Sequence, residues 1–317
     1  MKILIAVLVA IGLTFSVQAA PPSPWGADDE AGASNHITPA KVLSAVSLIN
    51  TGRVYELGRV YEQGMPLFGT RIYKLTIPGS PTGGPLAANQ LIFHDEMVSS
   101  EIGQVGTQFD GLGHIGRLQG GNANNKNQMH YYNGFTEGEI ASAEGLVKLG
   151  IEKIKPIITR GLLIDIANLK GDMNAGDEIT LSDVNEALSA QGILDTDIQP
   201  GDAVLFRTNW GRHWITDNDT YNSGAPGIGL EVADWLVSKD VALVGADTWP
   251  VEVVPNPDPS LAFPVHQALL TDNGIFIHEN LDLEELSSNS VYQFAYIFVR
   301  VPFKGATGSP GSPIAIQ

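Results

Sequence analysis

Apolar and polar positions along this chain fall into two repeating patterns, short apolar runs of strand length and longer stretches with helical period. Thr38 is an N-cap followed by proline at the first helical position, and Val42, Val46 and Ile49 then recur at helical spacing until Gly52. Residues 54–60 alternate as a strand does, whereas residues 78–85 are a run of Pro, Gly, Ser and Thr that reads as a loop, of the kind that covers a site. Residues 162–166 and 203–206 are short apolar runs suited to strands buried on both faces. Between them Thr180 and Asp183 form a capping box for a helix through Val184, Ala187 and Leu188, closed by Gly192. A helix over 230–237 leads into a buried strand over 241–245. A helix over 265–270, a turn at Asn273-Gly274, a strand over 275–277 and a long strand over 292–301 complete the pattern. This alternation predicts an α/β layer fold. With no internal repeat and no linker, one domain with a mixed sheet is expected.

The start of the chain reads as an address. Met1-Lys2 is a minimal positive start, residues 3–15 are almost unbroken apolar sequence, and Val17 and Ala19 are small residues at the positions a signal peptidase reads. Residues 1–19 are therefore expected to be a signal peptide and residues 20–317 the mature domain, exported to a periplasm or secreted. The apolar stretch is shorter than the roughly 20 residues that span a bilayer, and no later segment spans one. The 317 residues contain no Cys, which excludes a thiolate nucleophile, a cysteine-ligated metal and a disulfide framework. It also suits an oxidising compartment. A net charge of -17 argues against nucleic acid and anionic membrane surfaces as partners. A small-molecule substrate is the expected partner, and a homo-oligomer stays open.

Between Gln104 and His114 every polar side chain that can act as a ligand sits at an even position: Gln104, Gln108, Asp110 and His114. In an extended chain the first three share one face, with Val105 and Phe109 facing the core on the other. Gly106 leaves that face open, and Gly111 and Gly113 permit a bend that swings His114 over it. Two amide carbonyls, a carboxylate and an imidazole suit a hard divalent cation such as Mn²⁺. A solvated strand edge beside a loop histidine has the same spacing, so the pattern alone leaves both readings open.

The segment resembles the signature of the metal-dependent cyclase-like hydrolases, the family of kynurenine formamidase and isatin hydrolase. Its pattern is His-x-Gly-Thr-His-x-Asp-x-x-x-His. Gly106, Thr107, Asp110 and His114 match it, while Gln104 and Gln108 stand in place of the first two histidines. Gly245-Ala246-Asp247-Thr248 resembles the family's buried strand, and His266 with Glu279 resembles its distal pair. The resemblance implies a swivelling β/β/α fold with a partly barrel-like sheet and flanking helices. It implies a divalent metal, Mn or Zn, held by Gln104, Gln108, Asp110, His114, His266 and Glu279. It makes His114, as proton shuttle, and Glu279 the catalytic residues. The implied reaction is hydrolysis of an amide, formamide or lactone in a small cyclic or aryl substrate, with N-formylkynurenine as the default. Metal-activated water replaces a protein nucleophile in such chemistry. The alternatives are a catalytically impaired homologue that binds a small ligand in the cell envelope, and a structural envelope role.

Of the remaining polar and aromatic residues, Asp28-Asp29-Glu30 reads as a solvated cluster, His94 as a surface residue beside two acids, and His36 as part of the approach to a helix. Trp249, directly after Asp247-Thr248, is the best aromatic candidate for a pocket wall. His130-Tyr131-Tyr132, Trp210 and His213-Trp214 serve equally as pocket or core. Neither a P-loop nor a serine elbow occurs.

Overall fold

Strands that carry Val, Leu, Ile and Phe on both faces need cover on both sides, and the apolar runs in the middle of this chain take that place. A computed structural model describes residues 21–317, so the expected signal peptide lies outside the described residues. One sheet of nine strands dominates. In chain order its strands are β1 (Val54–Glu56), β2 (Gln108–Asp110), β3 (Ile157–Asp165), β4 (Ala203–Arg207), β5 (Leu243–Ala246), β6 (Phe276–Glu279), β7 (Gln293–Phe298), β8 (Gly308–Pro310) and β9 (Ile314–Ile316). They lie side by side as β1-β9-β7-β3-β4-β5-β6-β2-β8. The central four, β3 to β6, are parallel, and antiparallel pairs extend the sheet at both ends. The sheet curls into a half-barrel with helices against it, as the single mixed α/β domain expected.

Each parallel connection needs a crossover, and the predicted helices supply them. Helix α1 (Pro39–Val46) precedes the sheet, α2 (Leu181–Ala190) joins β3 to β4, and α3 (Leu230–Ser238) joins β4 to β5. The caps form as the sequence predicts: Thr38 Oγ1 accepts from Lys41 N at 3.2 Å, and Thr180 and Asp183 exchange bonds at 2.9 and 3.2 Å. Between β5 and β6 the helical segment expected over 265–270 is one turn, α4 (Pro264–His266), followed by a π-helical stretch, Gln267–Asp272.

Four expectations are corrected. The Val42, Val46 and Ile49 stripe is not the buried face of α1. Val46 is 47% exposed and only Ala45 is buried, because a small residue lets the helix lie close to β3. The strand expected over 54–60 pairs only over β1. The segment 78–85 is no cover for a site: it runs into a strand, Gly83–Leu86, at the tip of an outer arm that pairs Tyr73–Thr76 with Met97–Ser100. The arm leaves Leu86, Leu91, Ile92 and Phe93 exposed, and His94 with them. The Asp28 to Glu30 cluster is not simply solvated either. Asp29 accepts from the Tyr132 hydroxyl at 2.7 Å and from the backbone of Ala31 and Gly32, and Glu30 accepts from Leu149 N at 2.8 Å.

The main core lies under the sheet and includes Phe109, which is fully buried with its ring 5.0 Å from Phe276 and 4.8 Å from Phe298. Phe109→Ala is expected to cost about 3–5 kcal/mol by loss of burial and creation of a cavity. Urea denaturation of the purified variant measures this; a change below about 1 kcal/mol would show that β2 is not anchored through this ring.

Candidate metal centre

The register of β2 on β6 sets the site. Gln108 lies opposite Glu279, Phe109 opposite His278 and Asp110 opposite Ile277. Opposed residues project to the same side of a sheet, so Gln108, Asp110 and Glu279 share one face and Phe109 and His278 the other. On that second face His278 Nδ1 meets the Tyr296 hydroxyl at 2.7 Å, and burial pushes the imidazole down to about 3, so it stays neutral.

Strand geometry begins at Gln108, not at Gln104 as expected. Gly106 turns the chain at φ +62°, where a Cβ would also meet the Tyr61 ring at 2.7 Å. The bend sends Val105 into a separate cluster with Met65, Trp210, Trp214 and Trp249, away from Phe109. Gln104 nevertheless returns to the site: its Oε1 lies 3.3 Å from Gln108 Nε2.

Asp110 is fully buried, and neither of its carboxylate oxygens has a hydrogen-bond partner. Its oxygen Oδ2 lies 3.8 Å from His266 Nε2, which is also 3.2 Å from Glu279 Oε1. The other Glu279 oxygen accepts from Gln108 Nε2 at 2.7 Å. One donor atom from each of Asp110, His266 and Glu279 lies within 4.8 Å of the others. Burial and the Asp110 charge both push the Glu279 carboxyl up. Burial opposes a charge on His266, yet Glu252 and Glu279 hold its imidazole well above its usual value. An unpartnered buried carboxylate beside a second one and an imidazole fits a divalent cation, which supplies the charge that the protein leaves uncompensated.

Over this floor opens a cavity of about 210 Å³, lined by Phe68, Trp249, Phe263 and His114 among others. His114 follows Gly113 and reaches the cavity as the bend allows, but it stands outside the Asp110, His266 and Glu279 cluster. Burial lowers its pKa below 6.5, while Asp110 pulls the other way. Its ring makes no hydrogen bond among the described residues, which leaves it free to exchange a proton with a bound molecule. A larger hollow of about 370 Å³ lies between the lead-in at Pro21 to Trp25 and Asp240 and Asp272, but no such cluster lines it.

The sequence model of the Cyclase family, described as "Putative cyclase", matches residues 55–253. A crystal structure described as a novel cyclase is 30% identical and superposes with a TM-score of 0.81, covering 95% of this chain and 100% of its own. The chain belongs to the Cyclase family. Isatin hydrolase A from Labrenzia aggregata, 17% identical, has a TM-score of 0.61 over 87% of this chain and 97% of its own. Isatin hydrolase A from Ralstonia solanacearum, 20% identical, has 0.59 over 88% and 98%. No curated protein sequence matches. At those identities the two hydrolases share the fold with this Cyclase-family chain.

The other residues singled out in the sequence fall on either side of the pocket boundary. Trp249 lines the cavity and stacks on Phe68 at 4.3 Å. Trp210 and Trp214 are core, and Tyr132 is buried on Asp29. Asp247 is buried and accepts from the backbone and hydroxyl of Thr208 at 2.9 and 2.7 Å.

One buried acid escapes the sequence reading. Glu252 Oε1 lies 2.5 Å from His266 Nδ1 and accepts from His266 N at 3.0 Å, while its other oxygen accepts from Val265 N at 3.2 Å. It fixes the ring so that Nδ1 carries the proton and Nε2 faces Asp110 and Glu279. The available signal is a lone acid inside the apolar run Val251-Glu252-Val253-Val254. Glu252→Gln is expected to weaken Mn²⁺ binding about 10–100-fold, read by calorimetric titration, with the circular dichroism spectrum unchanged. Wild-type affinity in this variant would remove Glu252 from the site.

Proposed function

We propose that this protein is a metal-dependent hydrolase that opens an amide, formamide or lactone bond in a small cyclic or aryl compound. The observation that carries the reading is the fully buried Asp110 carboxylate, without a donor, clustered with His266 and Glu279, which line a cavity that also presents His114. Asp110, Glu279 and His266 would hold the ion, with the carbonyl oxygens of Gln104 and Gln108 as further donors. That oxygen-rich set favours a hard ion such as Mn²⁺ over Zn²⁺. When bound, a divalent cation in such a site polarises a carbonyl group and makes water acidic near neutral pH.

The chain's own residues do the rest. Phe68, Trp249 and Phe263 bind a flat apolar body and keep water from that side of it. Glu252 holds the His266 ring in one tautomer. The neutral imidazole of His114 takes a proton at its free ring nitrogen and returns it to the leaving nitrogen or oxygen. Its lowered pKa keeps that nitrogen available at pH 7. Glu279 remains the second catalytic candidate, on the face it shares with Gln108 and Asp110.

A second reading, the impaired ligand-binding homologue, is favoured by one contact: Gln108 points its amide nitrogen at Glu279 Oε2, and so acts there as a donor. Export through residues 1–19 is part of the proposal and rests on their sequence. The exposed apolar side chains of the outer arm support a homo-oligomer.

Protein purified without chelator is expected to carry a stoichiometric divalent ion by elemental analysis. Asp110→Asn is expected to lose it. His114→Ala is expected to keep it and to lose about 10²–10⁴ in kcat against aryl formamides, lactams or lactones. In the wild type, kcat/KM is expected to fall on the acid side only below about 6.5, because the base works while neutral, and that limb disappears in His114→Ala. Retained metal without turnover of any compound in the panel would favour the ligand-binding reading. Full activity in both variants would end the hydrolase assignment at this site.

A further inference from the structure

The cavity lining contains one permanently charged cation, Arg71. Elsewhere this acidic chain pairs its inward arginines with acids: Arg117 with Asp272 at 2.7 Å, Arg160 with Asp202 at 2.5 Å, Arg207 with Asp165 at 2.9 Å. Arg71 makes no such ion pair among the described residues, and its guanidinium lies 5.6 Å from the centre of the Phe68 ring. Phe68 is also the ring that stacks on Trp249, at 4.3 Å and 16°, with Phe263 standing edge-on to both at 6.3 and 6.1 Å. The guanidinium therefore borders a flat aromatic wall. Arg71 is the one permanently charged cation on that lining, so a ligand's negative group has a fixed partner beside the wall.

We propose that Arg71 reads a carboxylate on a planar aromatic ligand, which makes this cavity selective for aryl acids over their neutral counterparts. The inference deepens the hydrolase reading and rests on the cavity being its substrate site. A guanidinium matches a carboxylate through two parallel N–H donors, a geometry that a lysine ammonium does not reproduce. The aromatic wall supplies affinity that both charged and neutral ligands share, so the arginine accounts for the difference between them.

The test is calorimetric titration of the purified full-length protein with 2-aminobenzoate and with 2-aminobenzamide, a neutral compound of nearly the same shape. The wild type is expected to bind the acid at least about tenfold more tightly. Arg71→Met is expected to remove that preference and leave the amide's affinity unchanged, and Arg71→Lys to keep part of it. Equal affinities in the wild type, or a preference that survives in Arg71→Met, would overturn the proposal. Loss of both ligands in Arg71→Met would overturn it as well, because the side chain would then be supporting the Phe68 wall. None of these readings needs turnover. A chain that hydrolyses nothing yet shows the preference keeps the Arg71 assignment and loses the hydrolase one, and active protein without the preference does the reverse.

Discussion

Asp110 sits away from water with no donor to either oxygen, and an ionised carboxylate in that position costs several kcal/mol unless a proton or a cation offsets it. A proton would serve one carboxyl, but Glu279 approaches from the neighbouring strand with its own pKa pushed up by burial and by Asp110. Two acids and one imidazole within 4.8 Å share a deficit of positive charge that His266 alone does not remove. The rest of the fold preserves this arrangement. The antiparallel register of β2 and β6 puts Gln108 across from Glu279 and leaves Asp110 on the same face. Slipping that register by one residue would bring Phe109 into the site and drive Asp110 into the packing against Phe276 and Phe298. The aromatic packing on one face therefore enforces the chemistry on the other.

The parts of this architecture written in local sequence were legible, and those that depend on distant contacts were not. The α2 cap and its buried Val184, Ala187 and Leu188 follow from a Thr-x-x-Asp signal and from helical period, and both are local. The parallel strands were visible because burial on both faces leaves an unbroken apolar run. Helix α1 misled because a helix that meets a sheet through Ala45 leaves larger side chains outside, and periodicity cannot tell a buried stripe from an exposed one. At the site, even spacing placed Gln108 and Asp110 correctly. It placed Gln104 for the wrong reason, since a left-handed Gly106 breaks the strand and the side chain returns by a loop. The joining of His266 and Glu279 to Asp110 came from family resemblance, as no spacing over more than 150 residues carries a distance. Glu252 and Arg71 were beyond reach for the same reason. Each acquires meaning only from what packs beside it.

Primary amides at Gln104 and Gln108 set the electrostatics of the floor as well as the donors it can offer. An imidazole gains a proton near neutral pH and prefers softer ions, whereas a primary amide does not titrate there and offers either an oxygen or an NH₂ group. Gln108 uses the NH₂ group on Glu279 and on Gln104 Oε1, so the amide pair bridges one carboxylate and leaves Asp110 untouched. The ionisable groups clustered at this floor are Asp110, Glu279 and His266, with Glu252 setting the tautomer of the last.

The motif itself divides into residues that face the cavity and residues that hold them in place. Thr107 is buried and donates its hydroxyl to the Asn280 carbonyl at 2.8 Å while accepting from Arg59 N at 2.9 Å. Asn280 replies by donating its amide to the Gly106 carbonyl at 2.7 Å, and its own oxygen accepts from the Tyr221 hydroxyl at 2.7 Å. These bonds close a bracket between the start of β2 and the end of β6, one residue beyond Gln108 and Glu279 on their respective strands. A polar bracket of this kind, fully satisfied and dry, is stiff because breaking any one bond leaves a buried donor or acceptor without a partner. Gly106 lets the chain enter the bracket and Thr107 closes it. The scaffold asks only that β2 and β6 end together. The side chains at 104 and 108 are free to change chemistry so long as they fit above the floor.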